Sequence, residues 1–169
     1  MTLAPTLTDA NVTLRPQQAG DFDAYLAFRQ NPRAKYMGLK QDPVNAWFAF
    51  TAESGSWSLY NMGAWSVEVD GTLAGQVGVM QYVHFPETEI GWLLYDGFEG
   101  RGLAFKAAKL ALDYTWGQIK PPSLVSYIDQ SNHRSIALAQ RLGAQLDPDA
   151  AKYDEVDVVY RHTDPRVTS

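Results

Sequence analysis

The stretch YDGFEGRGLAFKAAKLALDY, residues 95–114, decides the fold, because it joins a glycine-rich turn directly to the most regular helical pattern in the chain. Gly97, Gly100 and Gly102 lie within six positions, and apolar residues then recur at helical spacing over residues 102–117. The first N–H groups of a helix lack partners within the helix and carry a partial positive charge. A loop without side chains leaves those groups open, so this segment predicts a phosphate-binding turn.

Two common nucleotide-binding motifs do not fit this turn. The P-loop spacing from Gly97 places Leu103 and Ala104 where Lys and Ser or Thr are required. The dinucleotide spacing from Gly100 places Phe105 where the third glycine belongs. A tight turn that needs glycine only for its backbone is the structural alternative to a phosphate site.

Composition limits the class of protein. The chain has 169 residues, 46% of them hydrophobic and 20% charged, which predicts one globular domain over residues 1–169 with a core from about 10 to 162. A net charge of −5 and a pI near 5.1, without a basic cluster, argue against nucleic acid as a partner. No apolar run is long enough for a membrane and no secretory leader is visible, so we expect a cytoplasmic protein without a membrane partner.

Cysteine is absent from the sequence. Disulfides, thiolate metal sites and a cysteine nucleophile are therefore excluded. The three histidines are too scattered along the chain to suggest a metal site.

The elements alternate along the chain and predict a mixed α/β sheet with helices on both faces. Asp70-Gly71 between two apolar runs predicts a hairpin with a type I′ turn. The polar segment 53–63 predicts a loop bordering a substrate site. Strands are expected at 11–17, 64–69, 72–83, 87–95, 123–129 and 153–162, and helices at 22–30, 43–54, 102–117 and 132–143.

One segment resembles a known family signature. EGRGLAFKA, residues 99–107, is similar to the pyrophosphate-binding motif of the GNAT acyl-CoA N-acyltransferases, QxxGxG/A or RxxGxG/A. Gly102 and Ala104 match the motif, whereas Glu99 stands in the place of the usual Gln or Arg. A glutamate there does not attract phosphate, so the resemblance implies that the loop relies on its backbone amides and on Arg101.

Two further landmarks extend the resemblance from about residue 10 to about residue 162. Asn132, Ser135 and the terminal Leu142-Gly143-Ala144 look like the family's second helix signature. VTLRP, residues 12–16, is similar to the first strand of the branch that acetylates ribosomal-protein N-termini. The implied fold is a central, mostly antiparallel twisted sheet that splays at the cofactor site, with helices on both faces.

The resemblance implies binding of acetyl-CoA without a metal. The strand 87–95 is expected to hold the donor through its backbone, and Gly91 within it predicts a bulge or a close ligand approach. The implied cofactor-binding residues are Trp92, Leu93, Leu94, Glu99, Gly100, Arg101, Gly102, Leu103, Ala104 and Asn132.

The catalytic assignment keeps alternatives open. Glu89, at the start of the cofactor strand, is the first candidate for the general base, and His84 is the second. Many family members use a tyrosine acid at the place of Ala139, which is not available here. Ser135 resembles the helix serine that the N-terminal acetyltransferase branch has near the CoA sulfur, so the resemblance implies it as the acid, with Tyr127 in reserve. A serine in a first helical turn often only bonds backbone.

The resemblance implies direct acetyl transfer from acetyl-CoA to a primary amine of a peptide N-terminus, an amino-acid derivative or a small molecule. A noncatalytic CoA-binding module and an acyltransferase with a longer acyl donor are the alternatives. The acceptor is not given by any fixed spacing in the sequence. We expect any homodimer to form through the C-terminal strands.

Overall fold

The computed structural model describes residues 3–37 and 42–167. Within these ranges the chain forms one eight-stranded sheet with four α-helices. The strands are β1 Leu7–Asp9, β2 Val12–Pro16, β3 Ala64–Val69, β4 Thr72–Met80, β5 Glu89–Leu94, β6 Leu124–Asp129, β7 Gln145–Leu146 and β8 Asp157–His162. The helices are α1 Phe22–Arg29, α2 Pro43–Tyr60, α3 Leu103–Tyr114 and α4 His133–Arg141.

The sheet is mostly antiparallel, as predicted. Its strand order is β1-β2-β3-β4-β5-β6-β8-β7, and only β5 and β6 are parallel neighbours. The β3–β4 hairpin closes through Asp70 and Gly71, whose φ angles of 50° and 76° are those of a type I′ turn. The hairpin prediction is therefore confirmed.

The first face of the sheet is apolar and carries α3. Side chains alternate across a strand, so Val12 and Leu14 of β2 and Val77 and Val79 of β4 lie on one face. All four are fully buried in one core cluster with residues of α3, among them Leu103. This packing fixes the start of α3 beside β5, which places the glycine turn at the edge of the sheet.

The second face is polar and lies under α1 and α2. Ser66 and Gln76 are buried there, and Arg15 forms ion pairs with Asp21 at 2.7 Å and Glu68 at 2.6 Å. Buried polar groups are tolerated when they are hydrogen-bonded to one another. Helices thus cover both faces, as expected, and beside these polar groups α1 and α2 form a second hydrophobic cluster with Leu93 of β5, built around Tyr25 and Phe50.

The predicted loop at 53–63 is wrong, because α2 continues to Tyr60. Its buried residues Ala46, Phe50, Glu53 and Trp57 keep a helical spacing through the whole segment. The helix ends only at Asn61, which takes the left-handed conformation at φ 56°. The polar composition of the outer face concealed this buried stripe.

Of the two interpretations of Gly91, the bulge is wrong, and the close approach of a ligand stays a prediction. The β4–β5 register runs unbroken from Met80↔Glu89 to Gly75↔Leu94. The register shift of this sheet lies instead between Val67 and Glu68 of β3.

Several predicted boundaries change. The α-helical part of the segment 102–117 ends at Tyr114 and continues as a π-helical turn over Thr115–Ile119. The last strand begins at Asp157, four residues later than the sequence predicted. β1 and β7, two short edge strands, were not predicted. In the described residues no helix has both the length and the apolar character needed to cross a membrane.

Candidate active site

The glycine turn leads into α3 with its backbone in the left-handed region. Gly97, Gly100 and Gly102 have φ angles of 90°, 73° and 73°. A Cβ atom on any of them would meet nothing within 4 Å, so the backbone conformation, not crowding by neighbours, requires glycine. Gly102 is the N-cap of α3, and no side chain caps this helix start. The first amides of α3 are therefore available to an anion.

Glu99 stabilises this turn. Its carboxylate accepts a hydrogen bond from the backbone N–H of Gly97 at 2.8 Å and forms an ion pair with Arg33 at 2.5 Å. Arg33 also pairs with Asp96 and donates to the carbonyl oxygen of Leu94. Glu99, which replaces the Gln or Arg of the family motif, thus stabilises the turn and places the Arg33 guanidinium next to it.

A cavity of about 820 Å³ opens between the turn, β5 and α4. We call it the basic cavity, because Arg33, Lys35, Arg134 and Arg141 line it, and among the described lining residues Glu99 is the one that is acidic. Ten of the predicted site residues line it, namely Trp92, Leu93, Leu94, Glu99, Gly100, Gly102, Leu103, Ala104, Asn132 and Ser135.

Two predicted residues do not line this cavity. Arg101 is exposed and is not among the residues that line the cavity, and neither is Glu89. The basic residues that do line it were missed by the sequence analysis. Of these basic residues, only Arg134 could have been found from the sequence, because it lies two positions after Asn132. Arg33 and Lys35 are far from the turn in sequence, so no local pattern links them to it.

The sheet splays between β5 and β6, as the family resemblance implied. The two strands share a single residue pair, Glu89↔Val125. Just beyond it, the Ser126 hydroxyl donates to the carbonyl oxygen of Ile90 at 2.7 Å. The Glu89 carboxylate accepts the backbone N–H of Tyr127. Side chains thus satisfy backbone groups that a continuing ladder would have paired.

Ser126 itself is supported from β8. Since its hydroxyl donates to Ile90, the Nε2–H of His162 donates to Ser126 at 3.1 Å, which leaves Nδ1 unprotonated. His162 is 4% exposed, and burial lowers its pKa to about 4. The histidine is therefore neutral and structural.

Glu89 lies on the second, polar face of the sheet at the mouth of the splay. Burial raises its pKa to about 8, with smaller contributions from Asp157 and Glu53, while the Tyr127 N–H acts against the shift. Its side chain keeps partial contact with solvent. Gly91 is the neighbouring position on this face, and a Cβ there would lie 4.0 Å from the Glu89 carboxyl group.

Glu53 is a second buried carboxyl group on this face, and the sequence analysis missed it. It is 6% exposed and accepts hydrogen bonds from Gln76 at 2.6 Å and from the Tyr82 hydroxyl at 3.3 Å. Burial raises its pKa to about 7, and the charge of Arg29 acts against this. The available signal was one acidic residue in the apolar stripe of α2.

The start of α4 faces the basic cavity. Asn132 is the N-cap and accepts the backbone N–H of Ser135 at 3.3 Å. The Ser135 hydroxyl has no hydrogen-bond partner among the residues that the structure describes. Asn132 therefore caps the helix, and Ser135 keeps a free hydroxyl at the cavity wall.

The two reserve residues lie elsewhere. The Tyr127 hydroxyl accepts the backbone N–H of Glu87 at 3.0 Å, and burial raises its pKa. His84 is exposed and stacks on Tyr82 with 5.6 Å between ring centroids. Neither residue lines the basic cavity. In the described ranges no three His, Asp or Glu side chains come together as metal ligands would.

Comparisons with known proteins agree with this geometry. The family model described as acetyltransferase (GNAT) domain matches residues 11–145. The crystal structure of an acetyltransferase from Agrobacterium tumefaciens is 39% identical, with a TM-score of 0.91 over 95% of both chains. RimL, a ribosomal-protein α-N-acetyltransferase solved with coenzyme A, is 14% identical with a TM-score of 0.75 over 93% of this chain and 96% of its own, which shows likeness of fold alone.

A second relative acts, by its name, on a small-molecule acceptor and not on a ribosomal protein. Spermidine N(1)-acetyltransferase of Escherichia coli is 32% identical over 82 residues, which are 48% of this chain and 44% of the relative. The match thus spans less than half the length of that relative.

Proposed function

Because the chain belongs to the GNAT acetyltransferase family, we propose that it transfers an acetyl group directly from acetyl-CoA to a primary amine. The observation that carries the proposal is the splay of β5 from β6, which has the basic cavity on one side and Glu89 on the other. A donor held in the cavity and an amine held at Glu89 would meet at the same point of the sheet. The relatives name different acceptors, so the acceptor at this stage is a primary amine of any kind.

The donor is held by the glycine turn and the cavity walls. The uncapped amides of α3 and the cations Arg33, Arg134 and Arg141 suit the phosphates of coenzyme A. Trp92, Leu93 and Leu94 offer backbone groups on the open side of β5. Acetyl-CoA supplies the acetyl thioester that the amine attacks.

Glu89 takes the proton of the acceptor's ammonium group. A carboxyl group with a pKa near 8 exchanges a proton readily with an amine near neutral pH, which is the condition for an effective general base. Glu89 is preferred to His84, because Glu89 lies at the splay whereas His84 is an exposed ring stacked on Tyr82.

Ser135 is the proposed proton donor to the departing sulfur. The C–N bond forms, the nitrogen releases its second proton to solvent, the C–S bond breaks, and the thiolate takes the hydroxyl proton, which solvent replaces. Ser135 is preferred to Tyr127, because its free hydroxyl lines the donor cavity and that of Tyr127 is engaged by Glu87. The absence of cysteine fits direct transfer without an acyl-enzyme on a thiol.

Release of free CoA with a panel of primary amines tests the proposal. With a saturating acceptor, kcat should rise with pH to a plateau above about pH 8, as the Glu89 carboxyl group ionises. Glu89→Gln should lower kcat by about 10²- to 10⁴-fold, the usual contribution of a general base. The acetyl-CoA Kd should stay within about twofold.

Asp113→Asn is the matched control, because Asp113 is an exposed carboxylate paired with Lys109 on α3. It should leave both kcat and its pH profile unchanged. A protein that binds acetyl-CoA and never releases CoA above the spontaneous rate is a noncatalytic CoA-binding module. Faster turnover with longer acyl-CoA donors than with acetyl-CoA would show that the protein is an acyltransferase that prefers a longer acyl group.

A further inference from the structure

The outer face of α2 is uncharged along its whole length. This helix of 18 residues contains one charged residue, Glu53, which is buried on the inner face. A surface helix normally carries charged residues on the face opposite its buried stripe. The outer face of α2 therefore lacks the groups that usually keep a helix surface in contact with water.

Apolar and small residues run along this outer face, and we call them the α2 stripe. Helical geometry places them directly opposite the buried residues of the same helix. Val44 is 63% exposed, Phe48 58% and Leu59 76%, and Trp47 flanks the stripe at 50%. The members of the α2 stripe are Val44, Phe48, Thr51, Ala52, Gly55 and Leu59.

The small residues at the centre of the α2 stripe have no explanation within the described chain. Gly55 has no left-handed φ, and a Cβ atom there would meet nothing within 4 Å. Ala52, almost one turn earlier, is exposed as well. Small residues in the middle of an exposed helix face allow another helix to approach closely. The stripe thus has a shallow hollow between Phe48 and Leu59.

The hydroxyl groups at the α2 stripe are hydrogen-bonded within the helix. The Thr51 hydroxyl donates to the carbonyl oxygen of Trp47 at 2.8 Å, and the Ser56 hydroxyl donates to that of Ala52 at 2.7 Å. Burial of a polar group costs little when its hydrogen bond is already made. An apolar surface can therefore cover the stripe without leaving these hydroxyls unpaired.

The α2 stripe is large enough for a specific contact. With Trp47 at its side, its large side chains and the small residues between them expose roughly 500–600 Å². Apolar patches of this size on a protein surface are often functional. Two such faces would together bury on the order of 1,000–1,200 Å², which reaches the lower end of specific protein–protein interfaces.

The α2 stripe is complementary to a second copy of itself. The midpoint of the helix lies between Thr51 and Ala52. A twofold axis at this point packs two copies of α2 antiparallel, and residues equally far from the midpoint then face each other. Phe48 of one copy lies over Gly55 of the other, and Val44 lies beside Leu59. The large side chains thus fill the hollow of the opposite helix.

Other occupants fit this face less well. A helix that lies on a membrane is rich in Lys and Arg, whereas α2 contains neither and the chain has a net charge of −5. A charged protein partner would find no ion-pair partner on the stripe. The C-terminal strands, which the sequence analysis expected to form any homodimer, end at the sheet edge in β7, which has two residues to offer for pairing.

We propose that the protein forms a homodimer in which the α2 stripes of two copies pack antiparallel about a twofold axis between Thr51 and Ala52. The inference does not depend on the proposed acetyl transfer, because none of the residues of α2 lines the basic cavity. The interface lies on the side of the helix that faces away from Glu53 and the sheet.

Sedimentation velocity tests for the dimer. With rising concentration the protein should shift reversibly from one chain of 18.8 kDa to two, with a midpoint in the micromolar range, because the interface is at the small end of the specific class. A protein that stays monomeric up to its solubility limit overturns the inference. Co-sedimentation with anionic lipid vesicles in place of self-association would assign the face to a membrane and overturns it as well.

Two variants locate the interface. Phe48→Glu should raise the Kd of the dimer at least about tenfold, because it buries a charge without a partner. Leu146→Glu is the matched control, since Leu146 is an apolar residue of β7 that is 54% exposed, and it should leave the Kd unchanged. Far-UV circular dichroism should be the same for both variants and the unaltered protein. A dimer that Leu146→Glu dissociates and Phe48→Glu does not would place the interface at the C-terminal strands and refute the inference.

Complementary charges test the antiparallel register. Gly55→Lys should weaken self-association, because a long side chain fills the hollow that receives Phe48. A mixture of Phe48→Glu and Gly55→Lys proteins should form heterodimers, since each has one contact between opposite charges and one unaltered contact of Phe48 with Gly55. The control mixture, Phe48→Glu with Gly55→Glu, brings like charges together and should associate about fivefold less tightly or weaker still. Equal association of the two mixtures would refute the register.

Discussion

Single residues in this protein are constrained by backbone conformation as much as by contacts. The glycine turn shows this, because its three glycines have left-handed φ angles and empty space where a side chain would be. The sequence analysis predicted the glycines as a phosphate-binding turn and attributed them to unobstructed approach of a phosphate, and this assignment stays a prediction. The structure adds that any L-residue would strain the turn even with no clash.

Substitution of Gly102 tests this constraint. Gly102→Val should destabilise the fold by about 1–2 kcal/mol and raise the Kd for acetyl-CoA at least about tenfold, because a β-branched residue disfavours the left-handed conformation that presents the α3 amides. Chemical denaturation and titration calorimetry measure the two effects.

Gly55→Ala is the control, since Gly55 lies within α2 with open space around it and no left-handed φ. It should stabilise the protein by about 0.5–1 kcal/mol and leave the Kd unchanged. An unchanged Kd in Gly102→Val would show that the α3 amides do not hold the diphosphate.

At the scale of elements, the decisive feature is the end of pairing between β5 and β6. The strands separate where Ser126 satisfies the carbonyl oxygen of Ile90 and where Glu89 satisfies the N–H of Tyr127. Glu89 thus serves the sheet as well as the chemistry proposed for it. A separation of strands is stable only if the freed backbone groups find other partners.

Removal of the Ser126 hydroxyl should weaken this arrangement. Ser126→Ala leaves a buried carbonyl oxygen and the Nε2–H of His162 without partners, so we expect a loss of about 1–3 kcal/mol in the free energy of unfolding. Urea denaturation gives this value. Ser56→Ala, which removes only a hydroxyl bonded to Ala52 within α2, should change it by less than about 0.5 kcal/mol. Equal losses in the two variants would contradict the role given to Ser126.

The sequence predicted correctly whether most elements are helices or strands. The prediction failed in the second half of α2, where the helix has one polar face and one buried face. The hairpin at Asp70-Gly71 was predicted correctly, because its turn chemistry is local. The second half of α2 was missed, since its outward face is polar and contains Gly55. Its inward face, with Glu53 among apolar residues, is explained only by Gln76 and Tyr82, which come later in the chain.

At the scale of the whole molecule, folding changes the protonation of carboxyl groups that are buried on the second face of the sheet. The pKa of Glu53 is raised to about 7 from an ordinary value of 4.5, so the folded protein retains a proton that the unfolded chain releases. Stability linked to this group is present below about pH 4.5 and is lost as the pH rises to about 7.

Glu53→Gln should remove that dependence. We expect the melting temperature of the variant, relative to that of the unaltered protein, to rise by about 4 °C between pH 5 and pH 8, as a change of ~1–2 kcal/mol would produce in a chain of this size. Differential scanning calorimetry at the two values measures it. Glu155→Gln, at an exposed carboxyl group, should follow the unaltered protein, and a parallel response of both variants would refute the linkage.

The sequence by itself determined the elements with local signals: the turn at Asp70-Gly71, the glycine turn before α3, and the cap of α4 at Asn132. These features depend on the backbone preferences of residues that are neighbours in the chain. Only the tertiary structure decided which ionisable groups lie near the splay, because Arg33, Arg134, Glu53 and Glu89 come from separate elements. Burial and electrostatic interactions depend on distance in space, and distances between segments are set only when the sheet and its helices have packed.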